Sequence, residues 1–223
     1  AGRPGQVGAM LEALSPIVPT WYVPAEESEV YRQAGAEVRP VEGKLPMKSK
    51  QLNAALNDGF ASGNFVVTMD DDFVNAKMRD WDHQNEFVVV RVPLAFVIKE
   101  MCDELFKSNK FVAINAPMFN MRWSQPKPVF WGVGLGQLMV HKPNEIRFDE
   151  LVADIEDLEI MIQHNIFHGG LVKLRKFNVD FHVFTPHESK KIDERYKGGY
   201  EKTRTDETTA RNIEYLKEKY PFL

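Results

Sequence analysis

Three adjacent carboxylates, Asp70, Asp71 and Asp72, follow the apolar run Phe65–Met69. Like charges this close oppose one another's ionisation unless a cation or a set of donors faces them. Hard oxygen ligands suit Mg²⁺ or Mn²⁺ bridged to phosphate oxygens, so one reading of the triplet is a divalent metal holding a nucleotide diphosphate. The other is an acidic turn that stops a strand. Ligands of open α/β sheets bind beyond the carboxyl ends of the strands, which is where the apolar run delivers these acids.

A second acidic group lies late in the chain. The spacing of Leu151, Ile155, Leu158 and Ile162 predicts a helix over Asp149–Asn165 with those residues as its buried stripe. Asp154 falls inside the stripe, and Asp157 and Glu150 fall at its edge. A carboxylate aimed at the interior is costly unless it is paired or hydrogen-bonded. Complementing the helix dipole accounts for Asp149 and Glu150 but not for Asp157, two turns in. Further on, His182 sits in a predicted strand, Lys176–Thr185, and His187 just after it. Either can ligate a metal through a neutral imidazole nitrogen, and either can be a structural or surface residue. Lys190, Lys191, Arg195, Lys197, Lys202 and Arg204 surround Gly198-Gly199. Such a run is a mobile phosphate-binding loop or a solvated charge cluster.

One reaction employs all of these groups. In sugar transfer from a nucleotide sugar, a metal bridges carboxylate and diphosphate and stabilises the leaving group. A separate carboxylate takes the proton of the attacking hydroxyl, and a basic flap excludes water.

The elements that must position these groups alternate as β-α-β, which predicts an α/β fold with a mostly parallel central sheet flanked by helices. Strands are expected at Ile17–Val23, Glu37–Arg39, Phe65–Met69, Phe87–Val92, Phe111–Asn115 and within Val129–Val140, with a polar stretch at Asn75–Asn85. Helices are expected at Gln6–Leu14, Glu26–Gln33, Lys48–Phe60, Leu94–Phe106 and Thr208–Lys219. On the third helix Leu52, Ala55, Leu56 and Phe60 share one face, while Lys50 and Asn53 share another edge. Gly132, Gly134 and Gly136, spaced two apart, predict close approach of another backbone or a ligand. A strand ordinarily precedes a loop such as Ala1–Gly5, so a first strand is expected outside this segment or is missing.

The 223 residues suit one α/β domain. With 43% hydrophobic residues the chain is not a disordered one. The net charge of −4 means that a nucleic-acid partner has to meet a local basic patch. A lone cysteine, Cys102, forms no disulfide within the chain and fits a reducing, cytoplasmic compartment. No run is apolar and long enough to cross a bilayer.

The pattern Arg3-Pro4-Gly5, Lys50-Gln51-Leu52-Asn53, Asp70-Asp71-Asp72 and Phe148-Asp149-Glu150 with Asp154-Ile155-Glu156-Asp157 resembles glycosyltransferases of the GT-A, Rossmann-like fold. Among them it is most similar to the TET-associated group that acts on modified DNA bases, which includes viral enzymes and relatives of the kinetoplastid base-J glucosyltransferase. The resemblance spans nearly the whole chain, 1–223. It implies a nucleotide-sugar donor such as UDP-glucose, contacted by Arg3, Lys50, Asn53, Asp70, Asp71 and the Gly198-Gly199 loop. It implies Mn²⁺ or Mg²⁺ held by Asp72 and Asp70, with His182 or His187 as a late ligand. It implies Asp157, with Asp154 beside it, as the base of an inverting enzyme. The implied acceptor is a 5-hydroxymethylpyrimidine in DNA, flipped out and stacked on Trp123 or Trp131, with Arg122, Lys127 and the Lys190–Arg204 cluster on the DNA backbone.

Other readings keep part of this. The same fold acts on saccharide, lipid or protein hydroxyls, or serves as a non-catalytic nucleic-acid-binding module. A phosphohydrolase with an aspartyl nucleophile would want a Thr or Ser shortly after the pair, and Phe73-Val74-Asn75 offers none.

Overall fold

The computed structural model describes residues 3–43, 48–80, 88–115, 127–134, 136–152, 155–181 and 206–222. The chain is mixed α/β. In order it forms α1 (Val7–Leu14), β1 (Thr20–Pro24), α2 (Ser28–Gln33), β2 (Glu37–Val41), α3 (Lys48–Ala61), β3 (Val66–Met69), β4 (Phe73–Asp80), β5 (Val88–Val92), α4 (Leu94–Lys107), β6 (Val112–Asn115), β7 (Leu138–His141), α5 (Glu156–Phe167), β8 (Val172–Leu174), β9 (Phe177–Phe181) and α6 (Asp206–Lys219).

The sheet that matters for the site has the order β3-β7-β6-β8. Its central strands, β6 and β7, are buried along their whole length. This is why they read as unbroken apolar runs rather than as an alternation. The two faces nevertheless sort by parity. Ala113, Leu138 and Val140 pack with Leu94, Val97, Met101 and Leu105 of α4. Val112, Ile114 and Met139 point the other way, onto Leu56 of α3 and Ile160 and Met161 of α5. One sheet is thus held between α4 on one side and α3 with α5 on the other. At the end of α3 Gly63 adopts φ +70 and its N–H closes on Phe60 O at 2.9 Å, so the chain turns directly into β3. On its far side α5 is tied to α6. Tyr220 Oη and Lys219 Nζ donate to the fully buried Glu159 at 2.7 and 2.8 Å.

A mostly parallel sheet is not what forms. Only β1 with β2 and β6 with β8 pair in parallel among the described strands. The ladders of β3 with β7, β6 with β7, and β4 with both β5 and β9 are antiparallel. Parallel neighbours need a crossover connection, usually a helix. No helix lies between β3 and β4 or, among the described residues, between β6 and β7. The polar stretch Asn75–Asn85, not counted among the expected strands, contributes most of β4. Its Ala76 is buried while Lys77 Nζ pairs with Asp180 Oδ2 of β9 at 2.7 Å. Among the described residues, no helix is long and apolar enough to cross a membrane.

Candidate active site

The cleft begins where β3 runs out. Asp70 N donates to Gln137 O at 2.9 Å, which carries the β3–β7 ladder one residue past the strand. The Asp70 side chain then emerges beside the first turn of α3. Lys48, the first residue of that helix, reaches across to it. Its ammonium lies 3.3 Å from Asp70 Oδ1 and 2.7 Å from Oε1 of Glu156, at the start of α5. The next residue, Asp157, completes the group. Asp157 Oδ2 accepts from Gly136 N at 2.9 Å and Oδ1 from Leu158 N at 2.8 Å. These side chains line one cleft with Gly136, Thr68 and Phe148.

The electrostatics follow from three acids around one base. Burial alone would lower the Lys48 ammonium, but Asp70 and then Glu156 overcome this and hold it above the ordinary lysine range. Glu156, with a side chain only 4% exposed, is pushed up by burial and partly restored by Lys48. The cleft therefore keeps a fixed cation within an excess of carboxylate, which suits a further cation or a chain of donors.

The aspartate triplet divides. Asp70 faces Lys48, whereas Asp71 Oδ1 and Asp72 Oδ2 each lie 3.2 Å from Arg3 Nη1. Arg3 is itself anchored by its main-chain N–H, which donates to Tyr31 Oη at 3.0 Å. Burial and then Asp70 push Asp72 up to about 6, against the opposing pull of Arg3. Asp72 Oδ1 is buried and has no hydrogen-bond partner among the described residues. Among the described residues no group of three or more His, Cys, Asp or Glu is arranged to hold a metal ion. The donor set fits a shared site rather than a protein cage. Asp70 and Asp72 offer hard oxygens, one atom of them orphaned, and Mg²⁺ or Mn²⁺ takes one or two carboxylates and completes its shell with water and phosphate.

Asn53 does not line the cleft. Its Nδ2 donates to Phe148 O at 2.9 Å and its Oδ1 accepts from Phe148 N at 2.8 Å. It clips the chain that leads into α5. Lys50 lies against Gly43, where an added β carbon would stand 3.0 Å from Lys50 Nζ. The lysine of α3 that reaches the strand end is Lys48, which the sequence reading did not name. The signal was present, since Lys48, Leu52 and Leu56 recur at i, i+4 and i+8, so Lys48 heads the stripe that faces the sheet. Asp154, His182, His187, Gly198 and Gly199 lie outside the described residues, as do Arg122, Trp123 and 190–204.

The predicted helix Asp149–Asn165 begins only at Glu156. Leu151, expected in its buried stripe, is 70% exposed. Asp149 instead makes a local turn, accepting from Leu151 N at 2.9 Å, and takes Tyr215 Oη and Lys219 Nζ from α6. Asp157 is therefore in the first turn of α5, where the helix dipole supports its charge.

The spaced glycines find their close neighbour in α5. Gly132 N donates to Asn165 Oδ1 at 3.2 Å, Gly134 N to Met161 Sδ at 3.3 Å and Gly136 N to Asp157 Oδ2 at 2.9 Å. Each step of two along the glycines meets a step of four along α5, about 6 Å of helix, so the rungs stay in register. Neither a scan against protein-family models nor a search of curated proteins returns a match for this chain.

Proposed function

We propose that the chain is a GT-A-type glycosyltransferase that moves a sugar from a nucleotide sugar, such as UDP-glucose, to a hydroxyl, that of a 5-hydroxymethylpyrimidine in DNA. The observation that carries this reading is the meeting of Asp70 with Glu156 and Asp157 in one cleft around Lys48. A strand-end acid for the donor and a helix-start acid for the acceptor, brought together from distant parts of the chain, are what displacement at a sugar carbon requires.

Asp157 is the base. Each of its oxygens accepts one main-chain N–H, which leaves lone pairs for the acceptor proton. As the acceptor O–H proton passes to Asp157, the oxygen bonds to the anomeric carbon. The bond from that carbon to the diphosphate oxygen breaks, and the electron pair leaves with the diphosphate. Lys48 supplies a permanent positive charge beside that departing group. Asp70 and Asp72 would hold Mg²⁺ or Mn²⁺, which when bound neutralises charge on the diphosphate.

Thermal shift with uridine sugars, with and without Mn²⁺, tests the reading, because a ligand that binds only the folded state raises the melting point. A metal-dependent rise with at least one sugar nucleotide is expected. No rise with any nucleotide sugar, in either metal, would overturn it. Product analysis on DNA with and without hydroxymethylated bases, against saccharide, lipid and protein acceptors, then assigns the hydroxyl.

A further inference from the structure

Three imidazoles run from the cleft towards the surface, and the proposed reaction uses none of them. They begin at Thr68, a buried residue that lines the cleft. Val66 packs against the cluster of Leu56 and Ile160, and Thr68, two residues on, shares that face of β3. Thr68 Oγ1 lies 3.1 Å from His141 Nε2. His164 Nδ1 lies 2.9 Å from His168 Nδ1, and His168 Nε2 lies 3.2 Å from Oε1 of the exposed Glu145. His141 stands close enough to His164 to oppose its protonation. One nitrogen of each of these two rings, His141 Nδ1 and His164 Nε2, is buried and has no partner among the described residues. Aromatic neighbours hold the column in place. Phe148 meets His141 edge-on at 5.9 Å between centroids, and Phe111 lies 4.3 Å from His168.

Hydrogen-bond parity assigns the protons. A carboxylate only accepts, so His168 Nε2 carries a hydrogen for Glu145. A neutral imidazole has one N–H, so His168 Nδ1 accepts and His164 Nδ1 donates to it. His164 Nε2 is then bare. Its complement is an N–H at His141 Nδ1, reached directly or through one water. That leaves His141 Nε2 bare, to accept from Thr68. Thr68 gives the same answer by itself. His141 is the one partner of its hydroxyl among the described residues, so a hydrogen on His141 Nε2 would leave that of Thr68 without an acceptor. Burial, which lowers His141 and His164 to about 3, keeps both rings in the neutral state that this assignment needs.

We propose that Thr68 is a specificity residue whose oxygen, with its hydrogen held by His141, accepts a hydrogen bond from a hydroxyl of the sugar being transferred. This rests on the transferase reading. Diphosphate oxygens are acceptors and have no hydrogen to offer an oxygen that itself accepts, whereas a sugar hydroxyl does. Asp70, Glu156 and Asp157 on the same cleft wall also accept, and Lys48 is already engaged by Asp70 and Glu156. The cleft therefore selects a ligand that brings its own donors. His141 acts through Thr68 and is a positioning residue.

Nitrogen-15 NMR of histidine-labelled protein at pH 8, where imidazoles are neutral, reads the column directly. An N–H at Nδ1 of His141 and of His164, and at Nε2 of His168, is expected. An N–H at Nε2 of His141 overturns the proposal. Calorimetric titration of UDP-glucose and of UDP, each with Mn²⁺, reads the contact in wild type, Thr68→Val and Thr68→Ser. Thr68→Val keeps the volume and removes the acceptor. It is expected to weaken UDP-glucose by roughly tenfold and leave UDP unchanged, and Thr68→Ser to restore the difference. Equal affinity of wild type and Thr68→Val for UDP-glucose overturns the sugar contact and leaves the transferase. So does equal weakening of both ligands, which would place the contact on the diphosphate or a metal-bound water. Absence of binding by any uridine sugar removes the transferase reading and the sugar contact with it, while the NMR still reports the column.

Discussion

The Gly136 backbone lies against the Asp157 side chain: the Gly136 N–H donates to Asp157 Oδ2 at 2.9 Å, and a β carbon at 136 would stand 2.2 Å from Asp157 Cβ. The candidate base is thus oriented by a position that tolerates no side chain. Gly136→Ala is expected to displace Asp157, reduce transfer at least a hundredfold, in the range of losing a general base, and cost about 1–3 kcal/mol through overpacking. Gly8→Ala, exposed in α1 with open space around it, is the control and should stabilise by about 0.5–1 kcal/mol. Turnover and urea denaturation of both variants check this.

Asp72 is held at a cost in stability. Its folded pKa is raised from 3.8 to about 6 by burial and Asp70. A raised folded value means that its contribution is fully present below the unfolded value and is lost as pH rises through about 6. Above that pH the ligand-free protein carries a buried, partly unsatisfied charge. Asp72→Asn is therefore expected to be more stable than wild type at pH 8, by about 1–2 kcal/mol, and to lose metal-dependent donor binding. Denaturant midpoints at pH 4 and pH 8, with the advantage confined to the higher pH, check the sign.

Two histidines work in the opposite direction. His141 and His164 are fully buried, and burial lowers each from 6.5 to about 3. His141 Nε2 meets Thr68 Oγ1 at 3.1 Å, and His164 Nδ1 meets His168 Nδ1 at 2.9 Å. Arg147 also disfavours the charged form of His141, and His168 that of His164. Stability is then fully present above the unfolded value of about 6.5 and falls as the pH drops from there toward about 3. Melting temperature is expected to decline steadily from pH 7 to pH 4, with a shallower decline in His164→Gln. A profile unchanged by that substitution would contradict the assignment.

Lys48 holds its two acids together, and its removal leaves Glu156 buried without a counter-charge. Lys48→Met is expected to cost roughly 2–4 kcal/mol and to weaken donor binding, whereas Lys50→Ala leaves donor binding near that of wild type. Adding Glu156→Gln to Lys48→Met should recover most of the lost stability and none of the binding. A double-mutant cycle on stability, with calorimetric titration of a uridine sugar, separates the two effects.

Local signals carried much of this arrangement. The run into Asp70, the apolar stripe of α3 and the glycine spacing at 132, 134 and 136 are each written within a few neighbouring residues, and each has its counterpart in the fold. Strand direction is not written locally. β7 is antiparallel to both its neighbours because of the route the chain takes to it, and no residue of Leu138–His141 encodes that route. The start of α5 was misplaced for a related reason. Phe148 and Asp149 are held in a turn by Asn53, Tyr215 and Lys219, from opposite parts of the chain, and such partners override local helical spacing. β4 could have been found, since Asn75, Lys77 and Arg79 alternate with Ala76 and Met78. Its polarity hid a period of two.

Glu159 sits on the hidden side of α5, and two of its hydrogen-bond donors, Lys219 and Tyr220, come from 60 and 61 residues further along. A fully buried acid satisfied from so far away makes the seat of α5 hostage to a remote stretch of chain. Damage at residues 219 and 220 is therefore felt at the helix that bears Asp157.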